Sequence, residues 1–207
     1  MTKRRIALFG GSFDPVHYGH TRVARAAAQQ LEAEMVVFIP AKCSPLKRFL
    51  PHASDEDRSK MIELAIQEDD VFSVSACELK RPAPSYTLDT VQQFQTDYGA
   101  ETSVYWLLGA DSVGDLVYWH RVEELLDTCN LAVMVRGGYE APAFDQYASL
   151  WGSNRIEKLR RNVIETPSID ISSTIIRERL AAGGDVSGML APQVVDYIRQ
   201  HQLYARV

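Results

Sequence analysis

Cysteine is scarce in this chain of 207 residues: Cys43, Cys77 and Cys129 stand far apart with no CxxC pair. An odd count without close spacing argues against a disulfide framework and against a thiolate zinc site, so a reducing cytoplasm is the expected compartment. Long hydrophobic runs are missing as well. After the basic start MTKRR, only Ile6 to Phe9 are apolar before Gly10, too short for a signal-peptide core or a membrane span, and no membrane partner is expected. Positive charge is in deficit, with 22 Lys+Arg against 27 Asp+Glu and a net charge of −5. That balance argues against a protein that binds nucleic acid by neutralising many phosphates, while leaving room for a local basic pocket. Repeats, charge blocks and Ser/Gly linkers are also lacking. With 46% hydrophobic and 24% charged residues the chain has a globular composition. One domain over residues 1–207 is expected.

What is present is a rhythm of short apolar runs and longer stretches of helical period, which predicts an α/β fold of βαβ units around a parallel sheet. The predicted strands are Arg5–Phe9, Met35–Ile39, Val71–Ala76, Val104–Leu108, Leu131–Val135 and a weaker Val163–Glu165. Each is short and mostly unalternated, as strands covered on both faces should be. Val23, Ala27 and Leu31 predict a first helix, and Ser54 with Asp57 forms a cap signal for a second starting near Asp55. Leu88, Val91, Phe94 and Tyr98 mark a third. Ile176 and Leu180 lie on another that should stop at Gly183-Gly184, and Pro192 suits the first position of a last helix carrying Val195 and Ile198. Two stretches break the rhythm, 41–53 and 136–153, and long loops in compact domains are often functional.

The densest chemical signal is Gly10-Gly11-Ser12-Phe13-Asp14-Pro15-Val16-His17-Tyr18-Gly19-His20, directly after the first strand and before the first helix. Open α/β sheets bind ligands at such turns. Neither the glycine spacing of a dinucleotide fingerprint nor the GK(S/T) ending of a Walker A loop is there. Gly10 and Gly11 allow a backbone to approach a ligand closely, and Ser12 with the following amides offers donors. His17 and His20 project from one face of the first helical turn, beside unpaired N–H groups and the positive dipole end, where imidazoles can donate to phosphate oxygens. A plain Gly-rich turn with two partly exposed histidines, or a His pair on a metal, would use the same residues. Far along the chain, Ile171-Ser172-Ser173-Thr174 makes a hydroxyl-rich helix start able to accept a triphosphate, with Arg177 one turn on; an ordinary N-cap and a solvated arginine are the competing reading.

Together, the HxGH box and the ISSTxxR segment resemble the signatures of the HxGH nucleotidylyltransferase superfamily. Intervening motifs are similar to those of its nicotinate-nucleotide adenylyltransferase family: Pro40 to Lys47 after the second strand, Ser85-Tyr86-Thr87-Leu88, Gly109-Ala110-Asp111 after the fourth strand, Trp119-His120, and the ending Pro192 to Tyr204. The resemblance covers almost the whole chain. It departs at Leu46, where the family often has histidine, and at Arg136-Gly137-Gly138 in place of Arg-Pro-Gly.

The resemblance implies a Rossmann-like, doubly wound parallel sheet with helices on both faces. It implies transfer of AMP from ATP to nicotinate mononucleotide, giving nicotinate adenine dinucleotide and pyrophosphate in NAD biosynthesis, with Mg2+ carried by the ATP phosphates and no metal site of the protein's own. His17, His20, Lys47 and Arg177 are the implied catalytic residues. ATP would meet Gly10, Gly11, Ser12, Phe13, His17, His20, Asp111, Ile171, Ser172, Ser173 and Arg177. The mononucleotide would meet Ser12, Lys47, Thr87, Leu88, Trp119, His120 and Arg136. The residue types suit those roles. Lys47 can bring a point charge over phosphates, though a loop lysine is usually just solvated, and Asp111 can accept ribose hydroxyls or serve as an N-cap. Trp119 offers a flat face to a pyridine ring or belongs to the core. Amides around Thr87, Leu88 and His120 can bind a carboxylate. The nearest rivals are sister enzymes acting on nicotinamide mononucleotide or phosphopantetheine, or a cytidylyltransferase; a non-catalytic nucleotide sensor is the rival of another class. A homo-oligomer is left open.

Overall fold

The computed structural model describes residues 3–46 and 50–205. Its elements in chain order are β1 (Arg4–Gly11), α1 (Tyr18–Leu31), β2 (Met35–Pro40), α2 (Asp55–Ile66), β3 (Phe72–Val74), α3 (Cys77–Lys80), α4 (Thr87–Tyr98), β4 (Thr102–Gly109), α5 (Val122–Thr128), β5 (Asn130–Arg136), α6 (Ala148–Trp151), α7 (Ser153–Arg161), β6 (Val163–Thr166), α8 (Ser173–Ala181) and α9 (Pro192–Gln200). The strands form one parallel sheet in the order β3-β2-β1-β4-β5-β6. Successive strands run outward from β1 to one edge, and the chain then returns to β4 on the other side of β1. This reversal puts a crevice beyond the C-terminal ends of β1 and β4.

Side-chain alternation divides the interior. Ala7 and Phe9 of β1 face a core with Ala24, Ala27 and Leu31 of α1, Met61 and Ile62 of α2, Ile176 of α8 and Val194 of α9. Ile6 and Leu8 face the opposite core, built with Leu88, Val91 and Phe94 of α4, Leu125 of α5 and Leu159 of α7. Each half of every central strand is therefore covered, which explains its unalternated apolar sequence.

The six predicted strands are all found. β3 is shorter than expected because Ala76 already turns into α3 at φ −86°, ψ 22°. Ser54 caps α2 as predicted, its Oγ accepting from Asp57 N at 3.0 Å. Within the 136–153 stretch the chain folds into a single-turn 3-10 helix, Phe144–Tyr147, followed by α6, and buries Phe144 and Trp151 in the second core. Among the described residues no helix is long and apolar enough to cross a membrane, and Cys43, Cys77 and Cys129 are free thiols.

Candidate active site

The loop after β1 is shaped by close packing. Gly10 lies against the indole of Trp106, and a Cβ there would run into the ring. Phe13 takes a left-handed backbone (φ 48°) that turns its side chain inward, edge-on to Phe9 at 5.5 Å and to His20 at 5.0 Å. Arg58 of α2 is completely buried, and its Nη1 donates to the Ser12 carbonyl at 2.7 Å while Nη2 reaches Asp55 at 2.6 Å. Its Nε has no partner. The turn thus sits over a fixed buried cation.

His17 and His20 meet as predicted, on one face of the first turn of α1. Their rings stack with centroids 3.8 Å apart. His17 occupies the N-cap position, and its backbone N–H donates to His20 Nδ1 at 3.3 Å. That bond makes Nδ1 an acceptor and assigns the ring proton to Nε2, so His20 carries an N–H donor on the side away from its own backbone. His17 is 93% buried rather than partly exposed, its Nδ1 has no partner, and burial pushes its pKa down to about 4. Gly19 makes room for it, since a Cβ there would lie 2.8 Å from the His17 ring and 3.4 Å from the Ile171 carbonyl.

The two distant motifs come together. Ser173 Oγ donates to the Pro15 carbonyl at 2.9 Å, and Arg177 Nη1 donates to the Asp14 carbonyl at 2.6 Å. Ser172 is the N-cap of α8, accepting from Ile175 N at 3.2 Å, and Ser173, Thr174 and Arg177 line the cleft beside it.

Three adjoining cavities occupy the crevice. The first, about 500 Å³, lies between Gly11, Ser12, Thr87, Trp106, Trp119 and His120. The second, about 410 Å³, holds His17, His20, Asp111, Arg136, Tyr139 and Ile171. The third, about 800 Å³, is walled by Ser12, Phe13, His20, Ser173, Thr174 and Arg177. Gly11 and Ser12 border the first and third, Gly109 the first and second, and His20 the second and third.

Most predicted residues thus border one continuous cleft, with exceptions that have structural causes. Arg136 opens into the second cavity with Asp111, not the first with Trp119, because it follows Met134 by two along β5 and so shares its face of the sheet. Leu88 is buried in the core through its side chain, leaving only its amide for the site. Phe13 is likewise 98% buried. Trp119 packs on the second core and also lines the first cavity. His120 stacks on Tyr86, centroids 4.2 Å apart. Lys47 lies outside the described residues.

Several site residues escaped the sequence reading. Glu78 of α3 is 97% buried and borders the first cavity. It accepts from Thr90 Oγ1 at 2.7 Å, and burial raises its pKa against the hydrogen bonds from Thr90 and Ser85. Ser85 in turn ties the turn before α4 to the 41–46 loop, its Oγ accepting from Lys42 N at 3.2 Å and its N–H donating to the Cys43 carbonyl at 2.9 Å. Asp14, Arg58 and Tyr204 were missed too. Only Asp14 lies inside the Gly10–His20 motif, where a carboxylate among residues suspected of binding anions was the available signal.

Comparison with known proteins extends this picture. A cytidylyltransferase-like family model matches residues 8–179. A protein of Neisseria gonorrhoeae named probable nicotinate-nucleotide adenylyltransferase is 37% identical over 203 residues, covering 98% of this chain and all of that protein. One of the same name from Synechococcus sp. is 35% identical over 202 residues, covering 98% and 95%. The solved structure of Plasmodium falciparum nicotinic acid mononucleotide adenylyltransferase complexed with NaAD shares the fold, with a TM-score of 0.74 at 21% identity over 97% of each chain.

Proposed function

Because the chain belongs to the cytidylyltransferase-like family, and within it to the nicotinate-nucleotide adenylyltransferases, it is a nucleotidyltransferase, and we propose that it moves the AMP moiety of ATP onto nicotinate mononucleotide. The products are nicotinate adenine dinucleotide and pyrophosphate, a step of NAD biosynthesis. The whole chain acts as one nucleotidyltransferase domain in the cytoplasm.

The observation that carries this reading is the junction at Ser12 and His20. Ser12 borders both the cavity with Trp119 and Thr87 and the cavity with Ser173 and Arg177, while His20 borders the latter and the cavity with Asp111. A dinucleotide precursor pair needs this plan: two base sites on either side of one phosphate site. ATP takes the second and third cavities, its ribose near Asp111 and its triphosphate against Ser173, Thr174 and Arg177. Nicotinate mononucleotide takes the first, its ring on Trp119 and its carboxylate toward the amides of Thr87, Leu88 and His120.

A phosphate oxygen of the mononucleotide then attacks the α-phosphorus of ATP, the bond from that phosphorus to the bridging oxygen breaks, and pyrophosphate leaves with the electron pair. No side-chain nucleophile takes part. Catalysis is positioning plus stabilisation of charge on the phosphoryl oxygens. His20 serves through its Nε2 donor, His17 as a neutral ring behind it, Arg177 on the outer phosphates and the Gly10–Phe13 backbone beneath. Lys47 joins them on the strength of the sequence alone. Mg2+ bound by the ATP phosphates would screen their charge.

The direct test is to mix ATP, Mg2+ and nicotinate mononucleotide with the protein and measure pyrophosphate and dinucleotide. Both should appear in equal amounts. Release of neither would refute the proposal.

A further inference from the structure

Asp14 is 96% buried, and its carboxylate gathers donors from widely separated segments. Oδ1 accepts from Tyr204 Oη at 2.8 Å and from Ala53 N at 3.1 Å. Oδ2 accepts from His52 N at 2.7 Å and lies 3.2 Å from His52 Nδ1. An ionised carboxylate has about four lone-pair sites. With the His52 ring proton on Nδ1, those four contacts fill them. Burial by itself would raise the Asp14 pKa, but the hydrogen bonds from the His52 amide, Tyr204 and the Ala53 amide outweigh it and hold the group below the usual carboxylate range.

Arg177 stands beside this saturated carboxylate without pairing closely. Its Nη1 is 3.9 Å from Asp14 Oδ2 and bonds instead to the Asp14 backbone carbonyl at 2.6 Å. Nη2 makes only a 3.3 Å contact to Thr174 Oγ1. A guanidinium next to an unsaturated carboxylate would normally take it in a two-pronged pair. Here the acceptor sites are occupied, so the guanidinium stays turned toward the third cavity.

We propose that Tyr204, acting through Asp14, is a positioning residue for Arg177, so that the C-terminal segment after α9 is a working part of the triphosphate site. Tyr204 completes the shell of Asp14, and that shell denies Asp14 to Arg177. Removing the hydroxyl opens one lone-pair site on Oδ1. Arg177 then swings onto the carboxylate and withdraws its charge from the anion.

This inference rests on the reading of the third cavity as the ATP phosphate site. Its test therefore reads binding, not turnover. Calorimetric titration of the wild-type protein with ATP and Mg2+ alone establishes whether the nucleotide binds, and the pyrophosphate assay establishes the reaction separately. In Tyr204→Phe, ATP should bind about tenfold more weakly, the size of one charge-assisted hydrogen bond, with mononucleotide affinity unchanged. In an Arg177→Ala background the same change should have no further effect on ATP, because the residue through which it acts is gone. An unchanged ATP affinity in Tyr204→Phe overturns the proposal. So does an equal loss for both ligands, or a loss of the same size with and without Arg177.

Discussion

The backbone N–H of His17 points at Nδ1 of His20, 3.3 Å away, while the two imidazoles stack above it at 3.8 Å. One histidine thus orients the other through the main chain, and the first turn of α1 is capped by the residue expected to touch phosphate. Capping and catalysis are coupled here. Replacing His20 by Ala should lower turnover about 100- to 1000-fold, the usual effect of losing one donor to a developing charge. It should also cost about 1 kcal/mol of stability, because the cap acceptor goes with it. His20→Asn can keep the acceptor, so its urea midpoint should stay near wild type while turnover remains low. Turnover within a few-fold of wild type in either variant would remove His20 from the mechanism.

His17 gives the protein a dependence on acid. In the unfolded chain its pKa is near 6.5, and in the fold burial lowers it to about 4. Between those values the unfolded state binds more protons, so stability is full above about pH 6.5 and falls as pH drops toward 4. The loss approaches about 3 kcal/mol. Urea unfolding at pH 7 and pH 4.5 should show this term in the wild type and its absence in His17→Asn. Parallel pH profiles for the two proteins would contradict it.

Arg58 couples stability to the shape of the loop after β1. Arg58→Met leaves the Ser12 carbonyl without its buried donor and Asp55 without its partner. A loss of about 2 to 4 kcal/mol is expected, read from denaturant unfolding. A loss below about 0.5 kcal/mol, the range of neutral surface changes, would show that the buried cation is not holding the loop.

What could be read from the sequence followed the range of the interactions. The β1 strand and its loop were legible because apolar residues stop abruptly at Gly10, and α2 and α9 because Ser54 and Pro192 announce them. α7 was not, since Ser153–Arg161 has only Ile156 and Leu159 to mark a buried face amid charged neighbours. The HxGH histidines are local in sequence and were found. The donors to Asp14 come from His52, Ala53 and Tyr204, brought together only by the fold, so no window of sequence contains them. Arg58 hid for a related reason: in a helix whose first turn is acidic, an arginine reads as a surface ion pair.

Substrate selectivity tests the first cavity most sharply. Nicotinate and nicotinamide differ by a carboxylate against a neutral amide of nearly equal size, so the site must distinguish charge and hydrogen-bond polarity. Thr87 opens α4, where the first amides lack partners within the helix and the dipole end is positive. Among the described residues lining this cavity there is no lysine or arginine, and the one acidic side chain, Glu78, is engaged by Thr90. Attraction for a carboxylate at this end of the cavity is therefore expected from the backbone N–H groups of the α4 start. An amide presents its own NH2 to one of them and leaves both donors unsatisfied. A site that loses paired polar contacts in this way can reject the wrong analogue by about 10⁴-fold, against about 10- to 200-fold for a missing methylene. The ratio of kcat/KM for the acid and amide mononucleotides at fixed ATP should exceed about 100. Trp119→Ala should raise KM for both mononucleotides alike, since stacking does not sense the charge. A ratio near one in the wild type would mean that the cavity reads only the pyridine ring and that the helix start of α4 plays no part in choosing the substrate.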